Sequence, residues 1–596
     1  MKLLLEREDV DPDRLSWDDR TPLSWAAGKG HEGVAKLLLE RNDVNPDTRG
    51  GEGGRTPLSW AAWGGHEGVL KLLLGRRDVN PNGSIIFGRM PLSLAAERGH
   101  GISGRTPLSP TDQTGREISG RTPLSLAAEK GHVGVVQLLL ERSDVNPDPL
   151  EPRYGRTPLS WAAQNGHEGI VKLLLEIKVV NLNIPDAVYR RTPLSWAVGN
   201  GHEGVVELLL ERRDVNTEIL GLTPLSWAAR NGYEGIVKQQ LGRKCVNPNT
   251  PDTNSGRTPL SFGAEHGHEG VVKLLLERKD LNLNTLDKLY GRTALMWATR
   301  NCHEGIVRLL LERRDINPDG SRKLGRTPLS WAAGNGYEGI VKLLLGRKDV
   351  NPNTLGTPYG RTPVSLAAQN GHEGIVKLLL GRDDVNTHTP ETQYGRTPLS
   401  FAAEHGHEGV VNLLLGRDDG NPDTPETKYG RTPLSLASGN GHEGIVELLL
   451  QRNDVNPDSS SRFSRTPLSW AAGNGHEGIV KLLLGRGDVN PNTQGIPYGR
   501  TPLLWAAVNG HKGIVKLLLE LDDVIPDTPE TKYGRTPLSW AAENGHVGVV
   551  ALLLQRKDVN PNTCSKSGQT PLMLAAREGY VRIVKLLQTQ HSRCIP

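Results

Sequence analysis

Residues 154–176 read YGRTPLSWAAQNGHEGIVKLLLE. Thr157 followed by Pro158 is a helix start: a hydroxyl N-cap, then proline at the first helical position, where its missing N–H costs nothing. The spacing predicts a first helix through Leu159, Ser160, Trp161, Ala162 and Ala163. Gly166 is free to take the left-handed conformation that ends it. A second helix is predicted from Glu168 to Glu176, with Ile170, Val171, Leu174 and Leu175 at helical spacing. Glu168 suits the positive end of its dipole, and Glu168, Lys172 and Glu176 form a charge ladder on one face. Neither helix is long enough to be stable alone. Their burial has to come from stacking on neighbours.

The neighbours are copies. With the Thr of Thr-Pro-Leu as register, units begin at Thr21, Thr56, Met90, Thr122, Thr157, Thr192, Thr223, Thr258, Thr293, Thr327, Thr362, Thr397, Thr432, Thr466, Thr501, Thr536 and Thr570, 17 in all. Most spacings are 34 or 35 residues, with 32 after Met90 and 31 after Thr192. A fixed period of this size means an all-α solenoid of helix-turn-helix units. The composition agrees: 12 Trp against 4 Phe, and 70 Gly in 596 residues, are what one motif copied many times produces. Lys+Arg is 71 and Asp+Glu 67, a net charge of +4, which gives no long-range reason to expect nucleic acid or an anionic membrane. Cys245, Cys302, Cys564 and Cys594 lie far apart and make neither a disulfide framework nor a metal motif. No apolar run reaches membrane-spanning length, and Met-Lys-Leu-Leu-Leu-Glu meets charge too soon for a signal peptide. The expectation is an intracellular protein, in the cytoplasm, with the nucleus not excluded.

The motif Thr-Pro-Leu-Ser-Trp-Ala-Ala-x-Asn-Gly-His-Glu-Gly-Ile-Val-Lys-Leu-Leu-Leu, then Asp-Val-Asn, resembles the ankyrin repeat (Thr-Pro-Leu-His-x-Ala-Ala, Gly-His, then Leu-Leu-Leu). The resemblance covers nearly the whole chain. It implies antiparallel helix pairs joined by protruding hairpin-like loops, stacked in a curve, and binding of macromolecules rather than catalysis. The wording of the repeats is similar to ankyrin arrays of filamentous fungi, often the C-terminal sensor part of larger NACHT-type receptors. Two departures stand out. Ser160, Ser195 and Ser330 replace the family His that helps to link neighbouring repeats, so a different or weaker link is expected. The loops are also about two residues longer than in the usual 33-residue repeat, which leaves their hairpin geometry open.

The unit at Met90 has no second helix. Gly101 to Gly120 holds a stunted copy rich in Pro and Gly, which reads as a loop. The expected organisation is therefore a partial repeat over 1–20, an N-terminal stack over 21–100, an irregular insert over 101–121 that interrupts stacking, and a C-terminal stack over 122–596. A second weak seam is expected at Gln239 and Gln240, which stand where sister units have Leu; buried unpaired amides are costly, and local fraying follows. Met1 to Arg7 resembles the tail of a second helix, so the expectation is either a start internal to a longer protein or a tolerated exposed apolar end. The last second helix, with Arg582, Lys585, Gln588 and Gln590, is polar as a capping repeat should be.

On a helical wheel, Leu159, Ala162 and Ala163 fall together as core, while Trp161, Gln164 and Asn165 fall opposite and are expected on the inner, concave surface. Ten units carry Trp there: Trp25, Trp60, Trp161, Trp196, Trp227, Trp297, Trp331, Trp470, Trp505 and Trp540. Eight carry Tyr three residues before the Thr, among them Tyr154, Tyr359, Tyr394 and Tyr429. Most have Arg just before it, such as Arg156, Arg257, Arg396 and Arg535. These are hot-spot residue types, and they are the candidate partner-binding residues. Two readings stand side by side. In one, the stripe lines a binding groove. In the other, the Trp and Tyr rings pack between repeats, and the Arg residues pair with loop acids such as Asp384 and Glu391. The recurrence of Asn at the Asn165 position argues against a surface diversified for one partner.

No catalytic constellation emerges. The residue four after each His of His-Glu-Gly is never His, so there is no zincin motif, and no Walker-type loop occurs. The His of Gly-His reads as a helix junction, and His266/His268 and His405/His407 as solvated turns rather than metal sites, since a site needs several converging ligands. No cofactor, metal or enzyme activity is expected. The expected function is a protein-interaction scaffold or adaptor with an unidentified protein partner, no membrane, nucleic acid disfavoured and oligomeric state open. The alternatives are the sensor part of a NACHT-type receptor and a mechanical spacer without a dedicated partner.

Overall fold

A computed structural model of the chain describes residues 10–50, 54–82, 122–151, 154–217, 221–320, 326–356, 359–417 and 421–591. Among the described residues there are 32 helices and no strand. They come in the predicted pairs, one short helix after the register Thr of each described unit and one after the His or Tyr ten or so residues on. The chain divides into two units, Met1–Leu289 and Tyr290–Pro596, and within each the successive pairs stack side by side.

The Thr157 repeat shows why the pattern folds. The Thr157 hydroxyl accepts the Ser160 N–H at 3.2 Å and caps the helix Pro158–Asn165. Gly166 closes it at φ 77°. A Cβ there would meet the ring of His202 from the next repeat at 2.6 Å, so both backbone conformation and space demand glycine. The second helix, Glu168–Glu176, places Ile170, Val171 and Leu174 with Leu159, Ala162 and Ala163 in a core of zero exposure. Burial of each large aliphatic side chain contributes roughly 1.5–3 kcal/mol, which the isolated pair could not supply.

Five kinds of bond join one repeat to the next. On the finger side, His202 Nε2 meets the Gln164 carbonyl at 2.9 Å, and Asn200 Nδ2 donates to the same oxygen at 2.8 Å. The hairpin fingers pair backbone to backbone, Ala187 N–H donating to Tyr154 O at 2.7 Å. On the opposite side, Arg212 donates to Leu175 O at 2.8 Å while also holding Asp214. The Asn181 N–H donates to the Asp148 carboxylate at 2.6 Å. The link expected to suffer from Ser160 is thus supplied elsewhere. Ser160 stays within its repeat, 3.1 Å from the Thr157 hydroxyl, and the His of Gly-His makes the inter-repeat bond. This also explains the recurring Asn: it is the second donor on a shared carbonyl.

The fingers are tight hairpins despite their length. Glu391 N–H donates to Arg396 O at 2.9 Å, and Gly395 N–H to Glu391 O at 3.0 Å.

The expected insert at 101–121, with the whole Met90 unit, lies outside the described residues, as does Met1 to Arg7. The repeats on either side of 83–121 are nevertheless in contact. His132 Nε2 lies 3.1 Å from Trp63 O, Arg142 donates to Leu74 O at 3.2 Å, and Asn146 N–H donates to Asn82 Oδ1 at 2.8 Å. These are the same kinds of bond that join the other described repeats.

At the second seam the helix Glu234–Gly242 runs unbroken through Gln239 and Gln240. The expected penalty shows instead as orphaned atoms: Gln239 Oε1 and Gln240 Nε2 are buried without a hydrogen bond. Gln240→Leu, which restores the sister residue, is expected to stabilise this repeat by about 1–3 kcal/mol. Amide hydrogen exchange over 234–242 measures it; unchanged or faster exchange would count against the assignment.

Candidate protein-binding face

The first helices and the fingers together form one side of each unit, and the candidate residues lie along it. The structure puts the indoles deeper than the wheel suggested. Trp161, Trp196 and Trp297 are 6%, 7% and 3% exposed, and Trp227, Trp331, Trp470, Trp505 and Trp540 are half-buried. What covers them is arginine. Arg156 lies 4.6 Å from the ring of its own Trp161 and 4.3 Å from Trp196 of the next repeat. Arg191 bridges Trp196 and Trp227 at 4.7 and 5.5 Å. In the second unit Arg292 joins Trp297 to Trp331, Arg465 joins Trp470 to Trp505, and Arg500 joins Trp505 to Trp540. Each guanidinium is shared between adjacent repeats, so the stripe is a packed cation–π ladder, each contact worth about 0.5–2 kcal/mol. An open row of indoles is not what the fold presents. A wheel gives direction from one helix axis and cannot show that the neighbouring repeat covers that direction.

The four candidate arginines are likewise held by their own chain. Arg156 NH1 donates to Gln164 at 2.6 Å, Arg257 to Glu265 at 2.5 Å, and Arg396 to Glu404 at 2.6 Å; Arg535 pairs with Glu543. In every case the partner stands eight residues on, at the end of the first helix. Fully buried finger carboxylates add a second anchor, Glu391 to Arg361 at 3.0 Å and Glu426 to Arg396 at 3.1 Å. Glu391 is thus an arginine partner as expected. Asp384 is not part of this face: it pairs with Arg382 behind the second helix, at 2.6 Å. Burial pulls the Arg156 guanidinium below its usual range, with Asp186 and Glu151 opposing that shift.

The tyrosines are the more accessible part of the candidate set. Tyr359 is 42% exposed, while Tyr154, Tyr394 and Tyr429 are half-buried. Beyond the candidates, Tyr189, Tyr290, Tyr498 and Tyr533 are exposed at the same finger position. Lysines lie over some of these rings, Lys428 between Tyr394 and Tyr429 at 4.8 and 4.7 Å, Lys532 between Tyr498 and Tyr533 at 5.2 and 4.6 Å. The Tyr carbonyls carry the finger-to-finger bonds, so the backbone fixes the position of each phenol. Open clefts of about 410 and 730 Å³ lie on this side, the first beside Trp227, Arg257 and His266, the second beside Arg535, Trp540 and Tyr580.

The two His-x-His pairs are engaged in local bonding. His266 and His268 stack at 6.1 Å and meet Phe262 O and Arg230 O; His405 and His407 repeat the arrangement. Among the described residues no three His, Cys, Asp or Glu side chains stand close enough to share a metal ion. No described helix is long and apolar enough to cross a membrane. A family model described as Ankyrin repeats (3 copies) matches residues 1–84, 92–186, 147–219, 179–252, 225–322, 315–389, 383–461, 453–529 and 523–594. No curated protein matches the chain.

Proposed function

The chain belongs to the ankyrin repeat family, and on that premise we propose that it is a non-enzymatic scaffold whose finger side holds a protein partner. Repeats of this family are generally protein–protein interaction modules. The observation that carries the reading to this face is the recurrence of exposed or half-buried tyrosines at the finger tips, with Tyr154, Tyr359, Tyr394, Tyr429, Tyr498 and Tyr533 each fixed by a bond from the next finger to its carbonyl. Rigid aromatic groups offer contact area at low entropic cost. The indoles beneath serve as a packed floor, and the candidate arginines as its fasteners.

The test is retention of a protein on the immobilised full chain. Changing Tyr359, Tyr394, Tyr429 and Tyr533 together to Ser removes only finger-tip rings and leaves the carbonyls that bond neighbouring fingers. Retention of a stoichiometric partner is expected to fall at least about tenfold, since each lost hot-spot ring costs about 1 kcal/mol or more. A partner held equally well by the variant would place binding on another face. Finding no saturable partner would leave the mechanical-spacer reading in possession.

A further inference from the structure

The finger arginines Arg465 and Arg500 lack what holds their sisters. Eight residues after Arg465 stands Gly473, and eight after Arg500 stands Val508, where Arg257, Arg396 and Arg535 meet Glu265, Glu404 and Glu543. The finger acid 30 residues on, Glu391 for Arg361 and Glu426 for Arg396, is Gly495 for Arg465, while Arg500 keeps the buried Glu530 there. Among the described residues neither arginine has a carboxylate within ion-pair distance. Of its five donors, Arg465 uses one, on the Ser469 carbonyl at 3.2 Å; its Nε is buried and unpartnered. Arg500 makes no side-chain hydrogen bond, and its Nε is also buried and unpartnered. Glu530 in the following finger is turned to the Tyr533 N–H at 2.6 Å. The Arg465 guanidinium fills the space over Gly473, 2.9 Å from where a Cβ would stand, between Trp470 at 3.7 Å and Trp505 at 4.2 Å.

We propose that Arg465 and Arg500 form a receptor for a carboxylate of the protein partner, docking an acidic segment across these two fingers. The proposal rests on the scaffold reading above and names the partner chemistry at one place on that face. The chain itself shows which ligand fits: in three sister repeats a glutamate meets the guanidinium from the position where Gly473 and Val508 offer no carboxylate. Two charged donors without an ion pair favour a charge-assisted, bidentate contact. The rim suits a peptide, because Phe463 and Tyr498 are exposed beside the arginines and Arg462 adds a third positive charge. A nucleic-acid strand suits it less well, since the indole faces that would stack on bases are already covered by guanidinium. Burial and the neighbouring Arg500 pull Arg465 down to about 10, the response of a buried cation without a counter-ion; bound carboxylate would reverse it.

The experiment is a fluorescence-anisotropy titration of the full chain with labelled oligoglutamate, oligolysine and oligothymidylate. Saturable binding of oligoglutamate alone is expected. Arg465→Gln with Arg500→Gln should weaken it at least about tenfold, the loss of one charge-assisted contact or more. Gly473→Glu should weaken it similarly by supplying the missing internal partner, as Glu404 does for Arg396. Lys342→Gln with Lys377→Gln, an equal charge change on exposed second-helix positions, should leave affinity within about twofold. Circular dichroism confirms folding of every variant. The proposal is overturned if Gly473→Glu leaves affinity unchanged, if the lysine control loses as much, or if oligothymidylate binds in place of the peptide. A partner retained by the full chain but indifferent to Gly473→Glu would remove this site and leave the scaffold reading standing. Loss of that reading with the titration intact would leave an anion site without a protein partner.

Discussion

Trp196→Ala is expected to cost about 3–5 kcal/mol, more than any other single change considered for the finger side. The ring is 7% exposed, faced by Arg156 and Arg191, met edge-on by Tyr189 at 5.9 Å, and its indole N–H donates to Asp186 at 2.9 Å. Alanine leaves a cavity, a bare pair of guanidiniums and one carboxylate oxygen, Asp186 Oδ2, without the indole N–H it accepted. A long repeat array need not unfold in one step, so the measurement is amide exchange in the Thr157, Thr192 and Thr223 repeats. Protection should collapse there first. Trp196→Phe, which keeps a ring but not the bond to Asp186, should cost less, about 1–3 kcal/mol. Exchange unaltered by either change would mean that the ladder carries little of the stability. The consequence for mapping is direct. Removing Trp470, Trp505 and Trp540 together would dismantle three adjacent repeats, and lost binding would then report unfolding. Finger-tip tyrosines and the Arg465 region are the positions where contact and folding separate.

Converting Asp423, Asp458 and Asp527 to Asn is expected to stabilise the second unit at neutral pH by about 1 kcal/mol each, with no gain in acid. In the Asn versions of this rung the side chain works twice. Asn353 Oδ1 accepts the Asn386 N–H at 2.7 Å, while its Nδ2 donates to Asp384 O at 2.6 Å. The Asp versions manage only the first bond: Asp423, Asp458 and Asp527 accept from Asn456, Asn490 and Asn560, and their Oδ1 atoms are buried and unpartnered. Burial pushes these carboxyls up, against the lowering effect of the N–H bond, and Asp454, Asp488 and Asp558 add to the rise. A pKa raised in the folded state means stability that is full below the unfolded value, near 4, and is lost as pH rises through the folded value. The protonated acid imitates the amide, so variant and parent converge in acid and diverge above it. Asp384, Asp454, Asp488 and Asp558 act in the opposite sense, held low by hydrogen bonds from Arg382, Arg452, Arg486 and Arg556. Their contribution is lost as pH falls, equally in parent and variant. Urea unfolding at pH 4 and pH 7 gives the comparison. A gain of equal size at both would remove the carboxylate from the explanation.

Much of this was legible in one unit of sequence. Thr157, Pro158 and Gly166 bound the first helix because capping and left-handed backbone are local chemistry. Ile170, Val171 and Leu174 lie inside because periodicity reports the buried face. What the sequence did not reveal depends on the adjoining repeat. Trp196, like Trp161, pointed away from its own core, and only the stacked neighbour shows that Arg156 closes over it. The Asn165 position looked like an uncommitted surface and is a donor to a carbonyl 36 residues earlier. Arg465 and Arg500 needed a comparison of what stands eight residues after each Arg, where Gly473 and Val508 take the place of the Gln164, Glu265, Gln369, Glu404 and Glu543 that hold other arginines. The contact between the Thr56 and Thr122 repeats had no local signal, because it is made by residues from two distant repeats that each look ordinary.

That junction has a consequence for heredity. Asn82 and Asn146 are bonded as neighbours although 64 residues separate them, where Asp148 and Asn181 are 33 apart. Most donors sit on the later repeat and most acceptors on the earlier, so the two faces of a module differ and mate only head to tail. Any later face therefore fits any earlier one. Unequal recombination between such similar stretches can delete or duplicate whole modules and recreate a working seam each time. The number of modules is then open to drift and selection independently of the fold, while the composition of single fingers is left to decide what is bound.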